Sequence, residues 1–288
     1  MNREHAVAAY MQPFFHHYLA DLRGLSDRTI IAYRDAIKIL LCFAAQTLEK
    51  PVDALTVEDL DDKLLFAFLD YLEKGRNCSV RTRNARLAAV RTLFNFIGRE
   101  EPVLLAQSQR VRSIPQKRVE SRTVDYLDER EMKAVFNSVA QDSRTGVRDK
   151  ALLLALYNTG ARVHEIICVQ MRDLRMDTLG QVRLLEKGRK VRICPLWPET
   201  VCALRAYIAV REPRDAQEQN VFLNANGYPI TRFGVRHIVR KYASAAAGKC
   251  ESIKVKKVGP HTFRHSTAMH MIRAGNDINM VSYPKESS

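Results

Sequence analysis

The sequence of 288 residues lacks the features that mark several common classes of protein. Its six cysteines form no C-x-x-C pair and no zinc-binding spacing, which indicates reduced thiols in a cytoplasmic protein rather than a disulfide framework. The start of the chain has no basic segment followed by an apolar core, so we expect no secretory signal peptide. The apolar run from Ala151 to Tyr157 is too short to span a bilayer, and we expect no membrane partner.

Motifs for nucleotides and for catalytic metals are also missing. The chain has no Walker A loop and no group of carboxylates suited to two metal ions, so we expect neither a cofactor nor a bound metal. A zinc site is the chemical alternative, because His261 and His265 have the spacing of two ligands on one helix face, with His270 nearby. The glutamate of an H-E-x-x-H motif is absent, however, and Arg264 would repel a cation.

Positive charge is what the sequence has in excess. Lysine and arginine outnumber aspartate and glutamate by 46 to 32, which gives a formal net charge of +14. These residues are spread along the chain instead of concentrated in one amphipathic segment, so nucleic acid is favoured over a membrane as the partner. A basic protein with no polyanionic partner is the alternative. The length predicts about two domains.

The first part of the chain, from Tyr10 to Gly98, reads as a bundle of helices. Ser26 and Ser79 are predicted N-caps, and Thr56–Asp59 resembles a capping box that would open another helix. Gly98 is predicted to end the last helix.

Basic side chains lie on the last helix of this bundle, in the segment after it and on a later helix. Over residues 102–122 the apolar periodicity fades, and Pro102 and Pro115 interrupt it, so we predict a basic linker. Seven lysine and arginine side chains are predicted to contact DNA phosphates. They are Arg81, Arg83, Arg86, Lys117, Arg118, Arg232 and Arg236.

The second part, residues 123–288, is predicted to mix helices with a small antiparallel hairpin. The hairpin pairs Val182–Glu186 with Lys190–Pro195, and Asp128 begins a D-x-x-E cap. Two later helices have predicted apolar faces. These faces are Phe233, Ile238 and Tyr242 on Arg232–Ala247, and Phe263, Ala268, Met271 and Ile272 on the helix that Gly259-Pro260 begins.

That last helix carries His261 and Arg264 one turn apart. A histidine and an arginine at a helix start, where backbone N–H groups also point outward, make a site for a phosphate oxyanion. A lone H-x-x-R is more often a solvated helix face, so the motif needs support from elsewhere in the chain.

Two further motifs supply that support. The order T-G-A-R-x-x-E (159–165), x-K-G-x-K-x-R-x-x-P (186–195) and H-T-F-R-H (261–265) resembles the tyrosine recombinases, the phage-integrase family of site-specific DNA recombinases. The resemblance implies a mainly α-helical protein of two domains. A SAM-like core-binding domain would cover 8–101 and grip one side of the duplex, and 123–288 would be the α+β catalytic domain.

The resemblance also implies a division of roles among the site residues. Arg162 and Arg264 would hold the non-bridging oxygens of one phosphodiester, because a guanidinium donates two parallel hydrogen bonds and keeps its proton. Lys187 would protonate the leaving oxygen, His261 matches the histidine or lysine beside the arginines, and Glu165 would orient them. In the family a tyrosine attacks phosphorus and forms a 3′-phosphotyrosyl link, which explains why no ATP is implied.

The chain departs from the family pattern after Gly275. Family members continue through a Leu-Gly-His or Leu-Gly-Trp turn into a helix that bears the nucleophilic tyrosine. Here Tyr283 is the only tyrosine beyond Arg264, it precedes that position, and Pro284 would break the helix. We therefore expect that Tyr283 is not the nucleophile and that the chain is C-terminally truncated. Two functions stay open. One is a recombinase or integrase of a mobile element that associates on DNA with itself or with related recombinases, and the other is an incomplete relative that binds DNA without cleaving it.

Overall fold

The computed structural model describes residues 5–119, 125–177, 180–186 and 190–275. The chain divides into two compact units, Met1–Ser121 and Arg122–Ser288. Helices dominate both units, and the second also holds a three-stranded antiparallel sheet. The prediction of a mainly α-helical chain of two domains with a small antiparallel sheet is confirmed.

The first unit is a bundle of helices around an aromatic and aliphatic core, in which Phe14, Phe68 and Phe94 are completely buried. Wider helical turns over Pro13–Leu22 and Tyr71–Gly75 extend two of the helices. Short 3₁₀ turns cover Val52–Ala54 and Pro102–Leu104. The α-helices are α1 (Val7–Gln12), α2 (Asp27–Leu48), α3 (Asp62–Asp70), α4 (Val80–Glu100) and α5 (Leu105–Ser113).

Two of the three predicted helix starts in this unit are confirmed. Ser26 and Ser79 are the N-cap residues of α2 and α4, and the Ser79 hydroxyl accepts a hydrogen bond from the Thr82 amide at 3.2 Å. The capping box at Thr56–Asp59 is wrong, because α3 begins only at Asp62. Asp59 does accept from the Thr56 amide at 2.9 Å, but that bond closes a turn, and Asp61 caps the helix instead.

The predicted linker is wrong for residues 102–114, since most of that segment is helix α5. Gln107, inside α5, is buried and donates to the carbonyl oxygens of Val57 at 2.7 Å and Leu60 at 3.2 Å. Gly98 does not end α4, which continues to Glu100. A Cβ at Gly98 would lie 2.6 Å from the Ser108 hydroxyl oxygen. The absence of a side chain at Gly98 therefore allows α5 to pack closely against α4.

The second unit surrounds helix α7, which is buried along most of its length from Ala151 to Leu156. Short 3₁₀ turns cover Met171–Asp173 and Glu251–Ile253. The other helices are α6 (Glu129–Asn137), α8 (Val163–Ile167), α9 (Pro198–Ala209), α10 (Arg232–Ala247) and α11 (Pro260–Arg273), with α7 itself spanning Arg144–Thr159. The D-x-x-E cap is confirmed, because Asp128 and Glu131 exchange both bonds of a capping box.

The sheet has the strand order β1 (Leu174–Arg175), β2 (Gln181–Leu185) and β3 (Val191–Pro195). Both pairings are antiparallel, which confirms the predicted hairpin and adds one short strand to it. Across β2 and β3, Val182 faces Cys194 and Leu184 faces Arg192. Because side chains alternate along a strand, Arg192 and Cys194 share one face.

Two predicted apolar faces need correction. Ile238 and Tyr242 of α10 are buried, but Phe233 is 66% exposed, and Val235 and Val239 complete the buried face. On α11 only Phe263 of the predicted stripe is fully buried. Its buried neighbours are the polar residues Thr262, Ser266 and Thr267, whose hydroxyl groups donate to carbonyl oxygens.

No helix in the described ranges is both long enough and apolar enough to cross a membrane.

Candidate active site

The site begins where helix α7 ends. Gly160 takes a left-handed conformation with φ of 57°, which glycine adopts without strain and which is common after a helix. The chain then turns, and Arg162 becomes the N-cap residue of α8. Half of the Arg162 side chain is exposed. The TGAR motif is thus a helix end followed at once by a helix start, which brings the arginine to the surface of the unit.

Glu165, three residues after Arg162, is the buried anion of the site. It is only 3% exposed. Its Oε2 accepts the backbone N–H of Arg162 at 2.9 Å, and its Oε1 accepts the Arg162 guanidinium at 2.8 Å. Burial by itself raises the pKa of Glu165, but the hydrogen bonds from Arg162 and the positive charge of Arg192 outweigh it and hold the pKa below its usual value. The carboxylate is therefore ionised and orients Arg162, as the resemblance implies.

Arg192 is a member of this site that sequence reasoning missed. It lies in β3, its side chain is 13% exposed, and its guanidinium donates to Glu165 Oε2 at 3.0 Å and to Glu186 Oε1 at 3.0 Å. It also donates to the Thr159 carbonyl oxygen at 3.0 Å. A signal was present in the sequence, because strand alternation puts Arg192 on the same face as the apolar Cys194. A charged side chain on a buried face requires a partner of opposite charge.

Arg264 reaches the same place from α11. Its guanidinium donates to the carbonyl oxygen of Gly160, two residues before Arg162. The neighbouring Phe263 is completely buried and fixes the helix against the core. Burial, and next the positive charge of Arg162, lower the pKa of Arg264 from its usual value. The two arginines that the sequence predicts to act together are therefore close enough to repel each other.

The charges of the site favour an anion. The site contains three guanidinium groups and two carboxylates, which leaves one positive charge in excess at neutral pH. These groups belong to Arg162, Arg192, Arg264, Glu165 and Glu186. Repulsion between Arg162 and Arg264 is relieved by any anion that binds to both of them. A tetrahedral oxyanion suits two such donors, because each guanidinium presents a planar pair of N–H groups.

His261 and Lys187 are the other residues predicted to act in the site. His261 is exposed in the first turn of α11. Lys187 and Tyr283 lie outside the described residues, so their placement stays a prediction. Within the described ranges no three or more histidine, cysteine, aspartate or glutamate side chains group in a way that could hold a metal ion.

The predicted DNA contacts of the first unit divide into exposed and buried side chains. Arg81 and Arg118 are exposed, while Arg86 is partly buried and donates to the Cys78 sulfur at 3.0 Å. Lys117 pairs with Glu73 at 2.8 Å and remains half exposed.

Arg83 is placed differently from the exposed Arg81, and its contact with DNA stays a prediction. Arg83 is 5% exposed and pairs with Glu73, its Nε and the Glu73 Oε1 being 3.0 Å apart. It also donates to the side chain of the buried Asn84 at 3.1 Å. In this structure Arg83 therefore stabilises the packing of α4, and its charge is paired with Glu73 instead of exposed.

Helix α10 presents a basic face. Arg232 and Arg236 are exposed as a contact with DNA requires, and Arg240, which sequence reasoning did not include, continues the same face one turn later. The Arg232 guanidinium lies over the exposed Phe233 ring, 4.9 Å from its centre. The guanidinium therefore covers part of the exposed ring.

Comparison with known sequences agrees with this arrangement. The phage integrase family matches residues 125–283, and the N-terminal SAM-like domain of phage integrases matches residues 14–101. A putative integrase/recombinase of Sinorhizobium fredii is 36% identical over 92% of this chain and 95% of its own length. Tyrosine recombinase XerC of Pelotomaculum thermopropionicum is 30% identical over 92% of this chain and 85% of its own length.

Solved structures show the same fold at lower sequence identity. The integrase of transposon Tn1549, solved with transposon right-end DNA, has a TM-score of 0.72 at 16% identity, covering 96% of this chain and 90% of that one. The site-specific recombinase XerH, solved with a palindromic difH substrate, has a TM-score of 0.68 at 19% identity, covering 86% of this chain and 70% of that one. The ordered motifs and the arginine pair agree with relatives that match nearly the whole chain. This protein therefore belongs to the phage integrase family of tyrosine recombinases.

Proposed function

We propose that this protein binds double-stranded DNA and holds one phosphodiester between Arg162 and Arg264. The observation that carries the proposal is the convergence of these two arginines from α8 and α11 on the turn at Gly160, over the ionised and buried Glu165. Fixed guanidinium groups stabilise the charge that develops on phosphate oxygens when a strand is broken. His261 and Lys187 are proposed to act beside them, Lys187 as the acid that protonates the leaving oxygen.

The phosphate site can be tested without knowing the target sequence. Sulfate is a stable tetrahedral dianion, and a ligand that binds only the folded protein raises its melting temperature. Trp197 is the single tryptophan of the chain and lies in the second unit, so its fluorescence reports that unit. We expect sulfate to raise the melting temperature relative to chloride at the same ionic strength, and Arg162→Gln and Arg264→Gln to remove the increase.

Arg175→Gln is the matched control, since Arg175 is an exposed arginine of β1 in the same unit. It should keep the sulfate effect. If Arg162→Gln retained the full increase, sulfate would be binding elsewhere and the proposed phosphate site would be wrong.

Strand breaking is tested on the target itself. Repeated rounds of binding to a pool of random duplexes would select that target, which is then nicked so that a cleaved strand cannot be rejoined. A covalent protein–DNA band on a denaturing gel that requires Arg162 and Arg264 would support DNA breaking and rejoining through a phosphotyrosine. Binding without a band would limit the function to occupying DNA.

The same proposal has consequences for the association of subunits and for the localisation of the protein. Because the recombination of two duplexes needs more than one active subunit, we propose self-association, or association with related recombinases, on DNA. We also propose that the protein works in the cytoplasm beside its DNA partner. An origin in a mobile element stays a prediction.

A further inference from the structure

Arg192 occupies the centre of the charged network although the proposed chemistry gives it no direct contact with DNA. Its side chain is only 13% exposed, and it contacts α7, α8 and the hairpin together. We infer that Arg192 is a positioning residue: it fixes Glu165, and through it Arg162, while it holds Glu186 at the base of the hairpin. This inference rests on the proposed phosphate site.

The first half of the network concerns Glu165. Its Oε2 accepts two donors, the Arg162 amide at 2.9 Å and the Arg192 guanidinium at 3.0 Å, and its Oε1 accepts the Arg162 side chain. Removing Arg192 leaves a buried carboxylate with only one guanidinium. That guanidinium would then be drawn inward to compensate the buried charge, because an unpaired buried carboxylate is costly. Arg162 would be less available to a phosphate.

The second half concerns the hairpin. Arg192 Nε donates to Glu186 Oε1 at 3.0 Å, and the Glu186 amide donates to the Lys190 carbonyl oxygen at 2.7 Å, which closes the two strands. Glu186 directly precedes Lys187 in the sequence. Arg192 thus ties the strand end that leads to the proposed acid to the Thr159 carbonyl oxygen at the end of α7.

A lysine cannot replace this arginine. The three nitrogens of the guanidinium donate in three fixed directions, to Glu186, to Thr159 and to Glu165. A lysine ammonium is a single point on a flexible chain and cannot serve all three acceptors at once. Arg192→Lys therefore keeps the charge of the site and removes its geometry, which makes it the decisive variant.

The experiment measures sulfate binding from the dependence of the melting temperature on sulfate concentration at constant ionic strength. We expect Arg192→Lys to weaken sulfate binding about tenfold, since it loses charge-assisted hydrogen bonds that hold Glu165 and Glu186. Glu186→Gln, which removes one partner and keeps Arg192, should weaken it less. Arg183→Gln is the control, because Arg183 is exposed on the opposite face of the same hairpin.

The possible results distinguish a failure of the positioning role of Arg192 from a failure of the proposed phosphate site. If Arg192 were only structural, Arg192→Lys would lower the melting temperature in chloride but leave the sulfate affinity unchanged, and the inference would be overturned. If the wild-type protein itself showed no sulfate effect, or Arg162→Gln kept it, the phosphate site would fail, and this inference with it. If Arg192→Lys does not fold, Glu186→Gln takes its place in the test. An unchanged sulfate affinity in Glu186→Gln would overturn the inference that Arg192 supports the site by holding Glu186 at the base of the hairpin.

Discussion

At the scale of single residues, Glu165 is the group on which the site depends. It is buried, ionised and bonded to two arginines. Glutamine has the same shape, but it carries no charge and turns an N–H₂ group toward guanidinium donors. We expect Glu165→Gln to lower the free energy of unfolding of the second unit by about 1–3 kcal/mol at pH 7. Chemical denaturation followed by Trp197 fluorescence measures this.

The same residue predicts a dependence on pH. The pKa of Glu165 in the folded protein lies below its ordinary value of 4.5. A carboxyl group with a lowered pKa stabilises the fold above its unfolded pKa, and this contribution is lost as the pH falls through the folded value. The difference between wild type and Glu165→Gln should therefore shrink below about pH 4.5. Glu251→Gln, at an exposed position, should show almost no difference at either pH, and a constant difference for Glu165→Gln would show that its ionisation does not matter.

At the scale of secondary structure elements, the contact between α4 and α5 is the feature to test. A methyl group at position 98 would come within 2.7 Å of the Ser108 Cβ, well inside contact distance. We expect Gly98→Ala to destabilise the first unit by about 1–3 kcal/mol, because a tightly packed interior cannot accept the added atom. Unfolding in urea followed by far-ultraviolet circular dichroism measures the change, while Trp197 fluorescence should not move.

Rescue makes this test specific. Adding Ser108→Gly removes the clashing side chain and should restore part of the lost stability, less the cost of about 1 kcal/mol for a glycine inside a helix. Gly248→Ala is the control, since its nearest contact would be at 3.5 Å. An unchanged stability in Gly98→Ala would mean that α5 does not pack there.

At the scale of the whole molecule, the excess of positive charge should govern DNA binding. Each phosphate contact releases counterions, so the logarithm of the affinity should fall linearly with the logarithm of the salt concentration. We expect Arg81→Gln and Arg232→Gln each to reduce that slope by about one. Fluorescence anisotropy of a labelled duplex over a salt series measures it.

Arg83 provides the matched control for Arg81 on the same helix. Because Arg83 is buried against Glu73, Arg83→Gln should destabilise the first unit and leave the salt slope of the folded protein unchanged. Equal slopes for wild type and Arg81→Gln would exclude Arg81 from the DNA contacts. A reduced slope in Arg83→Gln would mean that the buried pair opens on DNA.

The features that could be predicted from the amino-acid sequence are local or are ordered along the chain. The caps at Ser79 and Asp128 and the hairpin could be predicted, because their bonds join residues that are near one another in sequence. The order of the three motifs can be read directly along the chain. The same order of motifs was enough to predict Arg162, Arg264 and Glu165 as one site.

The remaining features could not be predicted, because they depend on hydrogen bonds and ion pairs that form only when the chain folds. Helix α5 has weak apolar periodicity and is held by Gln107, whose amide bonds to carbonyl groups some 50 residues away. Arg81 and Arg83 of α4 have similar sequence surroundings, yet Arg83 is buried and paired with Glu73 while Arg81 is exposed. Arg192 gains its role from Thr159, 33 residues earlier, since folding alone brings that carbonyl within hydrogen-bonding distance.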